Sequence, residues 1–467
     1  MLIRFNVKNY KSFSENSEGY SEEFSMIAGK VRNKKEHIYD DGKVKLLKFA
    51  AVYGANAAGK SNLVKALRFM QCVVVKGLPE GHIESYCKSD MSNKKKPSYF
   101  EIELKLEDKY FAYGFEVVLS ESRFISEWLY EIHDDNTQEI LFERDIEDGT
   151  YEFGGVLENK ELLEKLNIYA GDISDDNSVL FLSVMNQNKR KLYEENPDGV
   201  VIKKVFDWMM RSLDINYPNQ PISDYSYLAT AETNKVKEVC ELINTFGTGI
   251  TDIKMEEVAI EKVLSEIPRP IREKISKDIE KKMAETNAEE TNADSLEPKI
   301  HLVMRSNKNF FIVKSAQDDI KCETIKFSHG NSVDVLFDLA EESDGTVRVL
   351  DLLEILLAGE GKTYVIDELD RCLHPCLTYK FIESFFEFSR KKNIQLIVTT
   401  HESRLMDFDL LRRDEIWFVD KDVNGKSSIY SLEEYNTRFD QKVDKAYLEG
   451  RYGGVPVFTT IFPIKEE

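Results

Sequence analysis

A glycine-bracketed run of eight residues has the composition of a loop that binds phosphate. Residues 54–61 read GANAAGKS and fit G-x-x-x-x-G-K-[ST] at every defined position. Glycines let backbone N–H groups turn towards phosphate oxygens, and the start of the following helix adds positive potential. We expect Lys60 to neutralise the β- and γ-phosphates and Ser61 to offer its hydroxyl to Mg²⁺. The predicted loop and its helix start also include Gly54, Asn56, Ala58, Gly59 and Asn62, and ATP with Mg²⁺ is the expected ligand pair.

Two adjacent carboxylates follow an apolar stretch some 300 residues later. The stretch TYVIDE (363–368) ends in Asp367 and Glu368. Asp367 at the tip of a strand could hold Mg²⁺, and Glu368 could orient or deprotonate a water molecule that attacks phosphate. An Asp-Glu pair alone is weak evidence. Paired with a phosphate loop, it predicts a nucleotide-hydrolysing site in which Ser61 and Asp367 are the metal ligands.

Two further positions fit the same chemistry. His401 ends the stretch IQLIVTTH, where a ring nitrogen could hydrogen-bond to the γ-phosphate. Ser343 and Gly345 precede the helical pattern VRVLDLLEILL, so their backbone could form a second anion site at a helix start. The alternative for Ser343 is an ordinary helix cap. Because one nucleotide rarely needs two such sites, the second is expected to face the γ-phosphate of another subunit.

The elements that must position these residues alternate in type along the chain. After the strand LIRFNV come Asn9-Tyr10-Lys11-Ser12-Phe13, the apolar run before the phosphate loop and a helix. Strand-like alternation of apolar and polar side chains at 98–119, 126–132 and 139–145 predicts an antiparallel meander. Helical spacing follows at 157–166, 178–194, 200–213 and 256–285. The predicted domains are therefore an N-terminal lobe (1–150), a helical insertion (151–298) and a C-terminal lobe (299–467).

The C-terminal lobe indicates a parallel sheet. A hairpin is expected across residues 299–313, followed by a helix near 346–358. The strands 363–368, 394–401 and 415–420 are continuous apolar runs, as in sheets covered on both faces. The predicted fold is α/β, with a mixed sheet made of a parallel core and an antiparallel meander, plus the helical insertion.

Composition excludes several classes of protein. The chain has 467 residues and a formal charge of −21, which opposes nonspecific binding to nucleic acid as a whole-molecule property. The net charge does not exclude a local basic surface. The two runs of basic residues at 30–35 and 94–96 are expected to be solvated loops. No apolar run approaches the roughly 20 residues of a membrane span. With six scattered cysteines and no signal peptide, a cytoplasmic location without a membrane partner is expected.

The order of these motifs resembles the ABC-type ATPase heads of the SMC, RecF and OLD group. More narrowly, it resembles bacterial anti-phage AAA ATPases of the abortive-infection group, such as RloA/AbiL and the PARIS ATPase AriA. The narrower resemblance depends on Leu373-His374-Pro375 and on GRYGGVP at 450–456. It covers about residues 1–125 and 325–460.

The resemblance implies a mechanism and partners. In such heads ATP lies between two subunits, so Ser343 and Gly345 would face the phosphate that the partner's Lys60 binds. Lys11 and Ser12 would belong to the nucleotide site, and Glu368 and His401 would be catalytic. The implied function is an ATP-hydrolysing switch that forms a head-to-head dimer or higher oligomer. Its implied partners are a separate effector of Toprim or RloB-like type and a phage trigger protein.

Three other functions fit these motifs less well. An OLD-like nuclease needs a Toprim domain, and only 66 residues (467 − 401) follow His401, so a separate effector is expected. A DNA-repair or chromosome-associated ATPase of RecF or SMC type is the main alternative. The insertion lacks sustained heptads, which argues against a coiled-coil arm, and DNA binding is possible but unsupported. A membrane-transporter component is the remotest option.

Overall fold

The computed structural model describes residues 1–16, 19–135, 137–223, 225–229, 233–259, 299–305, 308–316, 319–330, 335–435 and 442–455. The chain forms two compact units. The first contains Met1–Ile215, Gly359–Leu369 and Phe386–Glu467, and the second contains Asn216–Ala358 and Asp370–Phe385. These boundaries differ from the three domains expected at 1–150, 151–298 and 299–467, which stay a prediction.

A six-stranded sheet forms the centre of the first unit. Four of its strands run parallel to one another, in the spatial order Thr363–Ile366, Gln395–Thr399, Phe49–Tyr53 and Ile416–Lys421. Every residue of the first three strands is buried, because helices cover both faces of such a sheet. Leu213–Asn216 lies at one edge and the antiparallel strand Ser427–Ser431 at the other. The predicted parallel core is confirmed.

A seven-stranded antiparallel sheet contains the predicted meander. Alternation of buried and partly exposed residues along Ser98–Leu106 shows why this segment forms a strand with one face on the core. The α/β fold with a parallel core and an antiparallel meander is thus confirmed. The strands of this sheet, in spatial order, are Thr150–Phe153, Gln138–Asp145, Arg123–Ile132, Lys109–Val118, Ser98–Leu106, Leu2–Lys8 and Glu22–Ser25.

The remaining strands form two smaller sheets. Lys299–Arg305 and Phe310–Ala316 pair as the expected hairpin. Ile250–Val258 is a strand, so the helix expected to begin at 256 is wrong for its first residues, and residues 260–298 lie outside the described part. The second unit's sheet has the order Ile250–Val258, Asp319–His329, Phe310–Ala316 and Lys299–Arg305, with Phe337–Asp338 beside Asp319–His329. Ile38–Asp40 pairs with Lys45–Leu47.

The expected helices at 157–166 and near 346–358 are confirmed by Lys160–Asp172 and Asp344–Leu357. The expected helix at 178–194 is wrong in its middle, because two short helices, Phe181–Met185 and Arg190–Glu195, occupy this segment. The expected helix at 200–213 is wrong at its end, because the chain changes to a π-turn at Trp208–Ser212 and then to the edge strand Leu213–Asn216. In the described residues no helix is long and apolar enough to cross a membrane. Within the described ranges the α-helices are Lys60–Lys76, Lys160–Asp172, Phe181–Met185, Arg190–Glu195, Val200–Asp207, Ser226–Ala229, Thr233–Asn244, Asp344–Leu357, Pro375–Ser389 and Val443–Leu448.

Candidate nucleotide site

The phosphate loop joins the buried strand Phe49–Tyr53 to the helix Lys60–Lys76. Its backbone turns sharply, with φ of 63° at Ala57 and 126° at Gly59. A Cβ atom at Gly59 would lie 2.5 Å from Oγ of Ser427, so glycine alone fits without a shift. The loop therefore has the geometry that the sequence predicted, with backbone N–H groups at the start of a helix.

The ammonium group of Lys60 lies over this loop. Its Nζ donates to the carbonyl oxygens of Gly54 at 2.7 Å and of Ala55 at 3.2 Å, and the residue is buried. When a nucleotide binds, phosphate oxygens can replace these carbonyl oxygens as the hydrogen-bond acceptors of the ammonium group. Lys60 is thus placed to bind the phosphates of a nucleotide.

Ser12 connects the N-terminal segment to the phosphate loop. Nδ2 of Asn62 donates to Oγ of Ser12 at 2.8 Å, and Oγ of Ser12 and Oγ of Ser427 are hydrogen-bonded at 2.7 Å. The backbone N–H of Ser427 donates to the carbonyl oxygen of Ser12 at 2.8 Å. Oγ of Ser427 also hydrogen-bonds to the carbonyl oxygen of Ala58. Ser427 is a residue of the site that the sequence did not reveal.

The hydroxyl of Ser61 and the carboxylate of Asp367 meet at the end of the central sheet. Oγ of Ser61 donates to Oδ1 of Asp367 at 3.1 Å. The same carboxylate oxygen accepts a 2.6 Å hydrogen bond from Oγ1 of Thr399. Hydroxyl and carboxylate oxygens are the ligands that Mg²⁺ prefers, so this donor set fits the expected metal. Asp367 and Thr399 are both buried, which fixes the carboxylate in place.

Glu368 has an unusual backbone conformation. Its φ is 53°, a region that non-glycine residues rarely occupy, and its N–H donates to Oγ1 of Thr399 at 2.8 Å. Such a conformation costs on the order of 1 kcal/mol and tends to occur at functional sites. It turns the chain immediately after the strand Thr363–Ile366, and the side chain is half-buried. Glu368 can therefore reach both solvent and a ligand at this edge.

His401 follows the neighbouring strand at the same edge of the sheet. The strand Gln395–Thr399 runs parallel to Thr363–Ile366, so both carboxyl ends face the same way. The N–H of Thr400 donates to the carbonyl oxygen of Val52 at 3.2 Å, which holds this turn beside the strand of the phosphate loop. The His401 side chain is exposed and accessible to a bound ligand.

A cavity of 440 Å³ borders the phosphate loop. Three lysines at its wall, Lys11, Lys88 and Lys421, outnumber one carboxylate, Glu84, which lies 2.8 Å from Lys88, so the wall has a positive excess. Burial lowers the pKa of the Lys11 ammonium, with Lys65 and Lys88 adding repulsion. An electropositive cavity attracts anions. The cavity therefore extends the predicted phosphate site towards Lys11 and Ser12 of the N-terminal segment. Its wall includes Lys11, Ser12, Asn62, Tyr86, Lys88 and Lys421.

Ser343 and Gly345 lie in the second unit, at the start of the helix Asp344–Leu357, hereafter the signature helix. Oγ of Ser343 accepts from the N–H of Thr346 at 3.0 Å, as an N-cap does. A Cβ atom at Gly345 would lie 3.0 Å from the carbonyl oxygen of Cys372. Ser343 is therefore a helix cap, and its predicted contact with a second subunit's phosphate stays a prediction.

The first unit brings most of the predicted residues together. Asn62 is hydrogen-bonded to Ser12, and Ser61 to Asp367. Lys60 is hydrogen-bonded to carbonyl oxygens of the loop itself, whereas Asn56 is exposed on the loop. A phosphate loop, a strand-end Asp-Glu pair and a parallel sheet define a phosphate-loop ATPase of mixed α/β fold. A family model described as "AAA domain, putative AbiEii toxin, Type IV TA system" matches residues 49–236 and 242–407, so the chain belongs to this family.

Comparison with solved structures finds SMC heads. An SMC head bound to the C-winged helix domain of ScpA is 15% identical, with a TM-score of 0.39, and the match covers 92% of this chain and 97% of that one. The SMC head domain of Thermotoga maritima is 12% identical, with a TM-score of 0.36 and coverages of 92% and 98%. An SMC head from Pyrococcus furiosus with an extended coiled coil, bound to the C-terminal domain of ScpA, is 16% identical, with a TM-score of 0.37. That match covers 96% of this chain and 99% of the other. No curated protein sequence matches the chain.

Proposed function

We propose that this protein is an ATP-hydrolysing switch of a bacterial anti-phage system of abortive-infection type. The observation that carries the hydrolytic part is the connected set of Ser61, Asp367, Thr399 and Glu368 beside the phosphate loop. The defence role is supported by the family description, which names a putative toxin of a toxin–antitoxin system. In this proposal, nucleotide-dependent dimerisation of two heads controls a separate effector.

Each residue of the site then has one task. Lys60 binds the β- and γ-phosphates, and Ser61 and Asp367 would hold Mg²⁺, which neutralises charge on the phosphates when bound. Glu368 orients a water molecule whose oxygen attacks the γ-phosphorus, while the bond to the β–γ bridging oxygen breaks and leaves ADP and phosphate. His401 hydrogen-bonds to the γ-phosphate. Lys11 and Ser12 contact the nucleotide from the N-terminal segment.

The proposed dimer uses the signature helix of one copy against the nucleotide of the other. Ser343 and Gly345 stand at the positive end of a fourteen-residue helix, where an anion is favoured. In the proposed cytoplasmic setting the partners are a Toprim or RloB-like effector and a phage trigger protein.

Mixing two inactive variants tests the proposed dimer. Lys60→Ala removes the phosphate-binding cation, and Gly345→Asp places a negative charge at the second anion site. Each homodimer should be inactive, whereas a mixed dimer contains one composite site with both parts intact. We expect the mixture to recover ATPase activity to about half the wild-type rate per mixed dimer, measured by phosphate release. No recovery in purified mixed dimers would refute the two-copy site.

A further inference from the structure

A cavity of 350 Å³ lies along one face of the signature helix, within the second unit. Asp344, Val347, Arg348 and Asp351 line it at helical spacings of three and four residues. The opposite wall comes from the segment after Glu368 and from the turn at 218–221. The polar side chains at its wall include Asn219, Lys308, Asp344, Arg348, Asp351 and Arg371.

Arg371 is brought to this cavity by a turn packed on the start of the helix. The absence of a side chain at Gly345 lets the carbonyl oxygen of Cys372 approach, since a Cβ there would lie 3.0 Å away. Cys372 has a φ of 62°, which turns the chain at this point. Nη1 of Arg371 donates to Oδ1 of Asn219 at 2.5 Å, and the Arg371 side chain is exposed. Arg371 is thus oriented by one contact yet accessible to another molecule.

The charges at the cavity favour an anion. Two lining carboxylates already face cations. Nζ of Lys308 lies 3.0 Å from Oδ1 of Asp344. Oδ1 of Asp351 lies 3.1 Å from Nη2 of Arg305, and both of these side chains are buried. Burial also lowers the pKa of the Arg348 guanidinium, while Asp351 and Asp370 raise it.

Counting these groups gives a local positive excess. At the cavity wall three cations, Lys308, Arg348 and Arg371, stand against two carboxylates, Asp344 and Asp351, although the whole chain carries −21. Exposed Arg371 is the group best placed to meet an incoming ligand, because Lys308 and Arg305 already face carboxylates. Anions are attracted here by two features, the net positive charge of the cavity and the positive end of the helix beside it.

We propose that this cavity receives the terminal phosphate of the nucleotide bound by a second copy's phosphate loop, and that Arg371 stabilises its charge. The inference rests on the proposed dimer and adds a cationic residue supplied in trans. Arg371 donates hydrogen bonds to the phosphate oxygens and transfers no proton. A planar guanidinium suits this task, because it can bind two phosphate oxygens at once. The volume of the cavity fits a small charged group better than a folded segment of a partner.

The test is a complementation between Arg371→Ala and Lys60→Ala. Arg371→Ala alone should reduce ATP turnover by about 100-fold or more, as removal of a trans-acting arginine does in other phosphoryl-transfer enzymes. ATP binding to the isolated chain should change less than about 2-fold, since the phosphate loop is intact. In a mixed dimer, the loop of the Arg371→Ala chain meets the intact cavity of the Lys60→Ala chain. The mixture should then recover as much activity as the mixture of Lys60→Ala and Gly345→Asp.

The outcomes separate this inference from the proposed function. If the Gly345→Asp mixture recovers and the Arg371→Ala mixture does not, Arg371 acts within its own subunit and the inference is overturned. If neither recovers, the two-copy site fails and the inference fails with it. Recovery in both supports the trans assignment.

Three further variants distinguish charge from structure. Arg371→Lys keeps a cation and should retain more activity than Arg371→Ala. Asn219→Ala removes the contact that orients Arg371, and its loss should be no more than about 10-fold. Arg190→Ala removes an exposed arginine elsewhere and should leave turnover unchanged. An Asn219→Ala loss as large as that of Arg371→Ala would show a purely structural role and overturn the inference.

Discussion

The hydroxyl of Thr399 joins the two carboxylates of the candidate site. It donates to Oδ1 of Asp367 and accepts from the N–H of Glu368, so one buried side chain orients the metal ligand and holds the next residue's backbone. Its burial makes both hydrogen bonds strong, because water does not compete for them. The positions of Asp367 and Glu368 are thus set together rather than separately.

Replacing the proposed catalytic carboxylate should separate binding from turnover. In Glu368→Gln the amide keeps the size of the side chain but cannot accept a proton from water. We expect ATP binding within about 2-fold of wild type and turnover lowered by about 100-fold to 10,000-fold, the usual range for loss of a general base. Fluorescent-nucleotide titration measures the binding, and phosphate release measures the turnover.

Glu360→Gln is a suitable control, because Glu360 is an exposed glutamate outside the site. It should hydrolyse ATP at the wild-type rate. Wild-type turnover in Glu368→Gln would show that another group activates the water molecule.

At the scale of elements, the helix after the phosphate loop is tied to the edge of the central sheet. Nε2 of Gln71 donates to the carbonyl oxygens of Met209 and Leu213, both at 2.7 Å, and the residue is buried. Nη1 of Arg68 donates to Oε1 of Gln71 at 2.6 Å, which fixes the orientation of the amide. This glutamine thus connects the helix to the point where the π-turn becomes the edge strand.

Gln71→Met should destabilise the fold without removing the site. Two buried carbonyl oxygens lose a donor, and each unsatisfied group costs about 1–3 kcal/mol. We expect the free energy of unfolding to fall by about 2–4 kcal/mol, measured by urea denaturation, with ATP binding retained below the transition. Gln138→Met, at an exposed strand end, should change it by less than about 0.5 kcal/mol. Equal effects of the two changes would contradict the tethering role.

Elements with a clear period could be predicted, and elements defined by distant partners could not. The first strand of the meander, Ser98–Leu106, alternates over most of its length, and the apolar strands around Asp367 are continuous, so both patterns identify their structure directly. Residues 200–213 have helical spacing throughout, yet Leu213–Asn216 pairs in the sheet. That pairing depends on the neighbouring strand Thr363–Ile366, which lies about 150 residues away in sequence.

The candidate site likewise contains residues that could be predicted from the sequence and residues that could not. The phosphate loop and the Asp-Glu pair could be predicted because each needs particular residue types at fixed spacing. Ser427 could not, because a single serine on an edge strand has no pattern that separates it from any exposed serine. Its role appears only when Ser12, Ala58 and Ser427 meet in space.

At the scale of the whole molecule, the defence role can be tested in a host. Because the proposed switch controls a separate effector, deleting the neighbouring gene should abolish protection against phage and leave the ATPase activity of this protein intact. The measurement is plaque formation with and without the neighbour, alongside phosphate release by the purified protein. Full protection by this chain alone, in a host that lacks any companion gene, would refute the two-component arrangement.

The arrangement of the central sheet also determines when the site can exist during synthesis. The strand before the phosphate loop, Phe49–Tyr53, lies between Gln395–Thr399 and Ile416–Lys421. Its neighbours leave the ribosome only after about 340 further residues, which takes roughly 17–70 s at 5–20 residues per second. Until then this apolar strand has two unpaired edges, and such an exposed strand is a binding site for chaperones. A truncated or stalled nascent chain therefore carries the phosphate-binding sequence without the strands that complete the site.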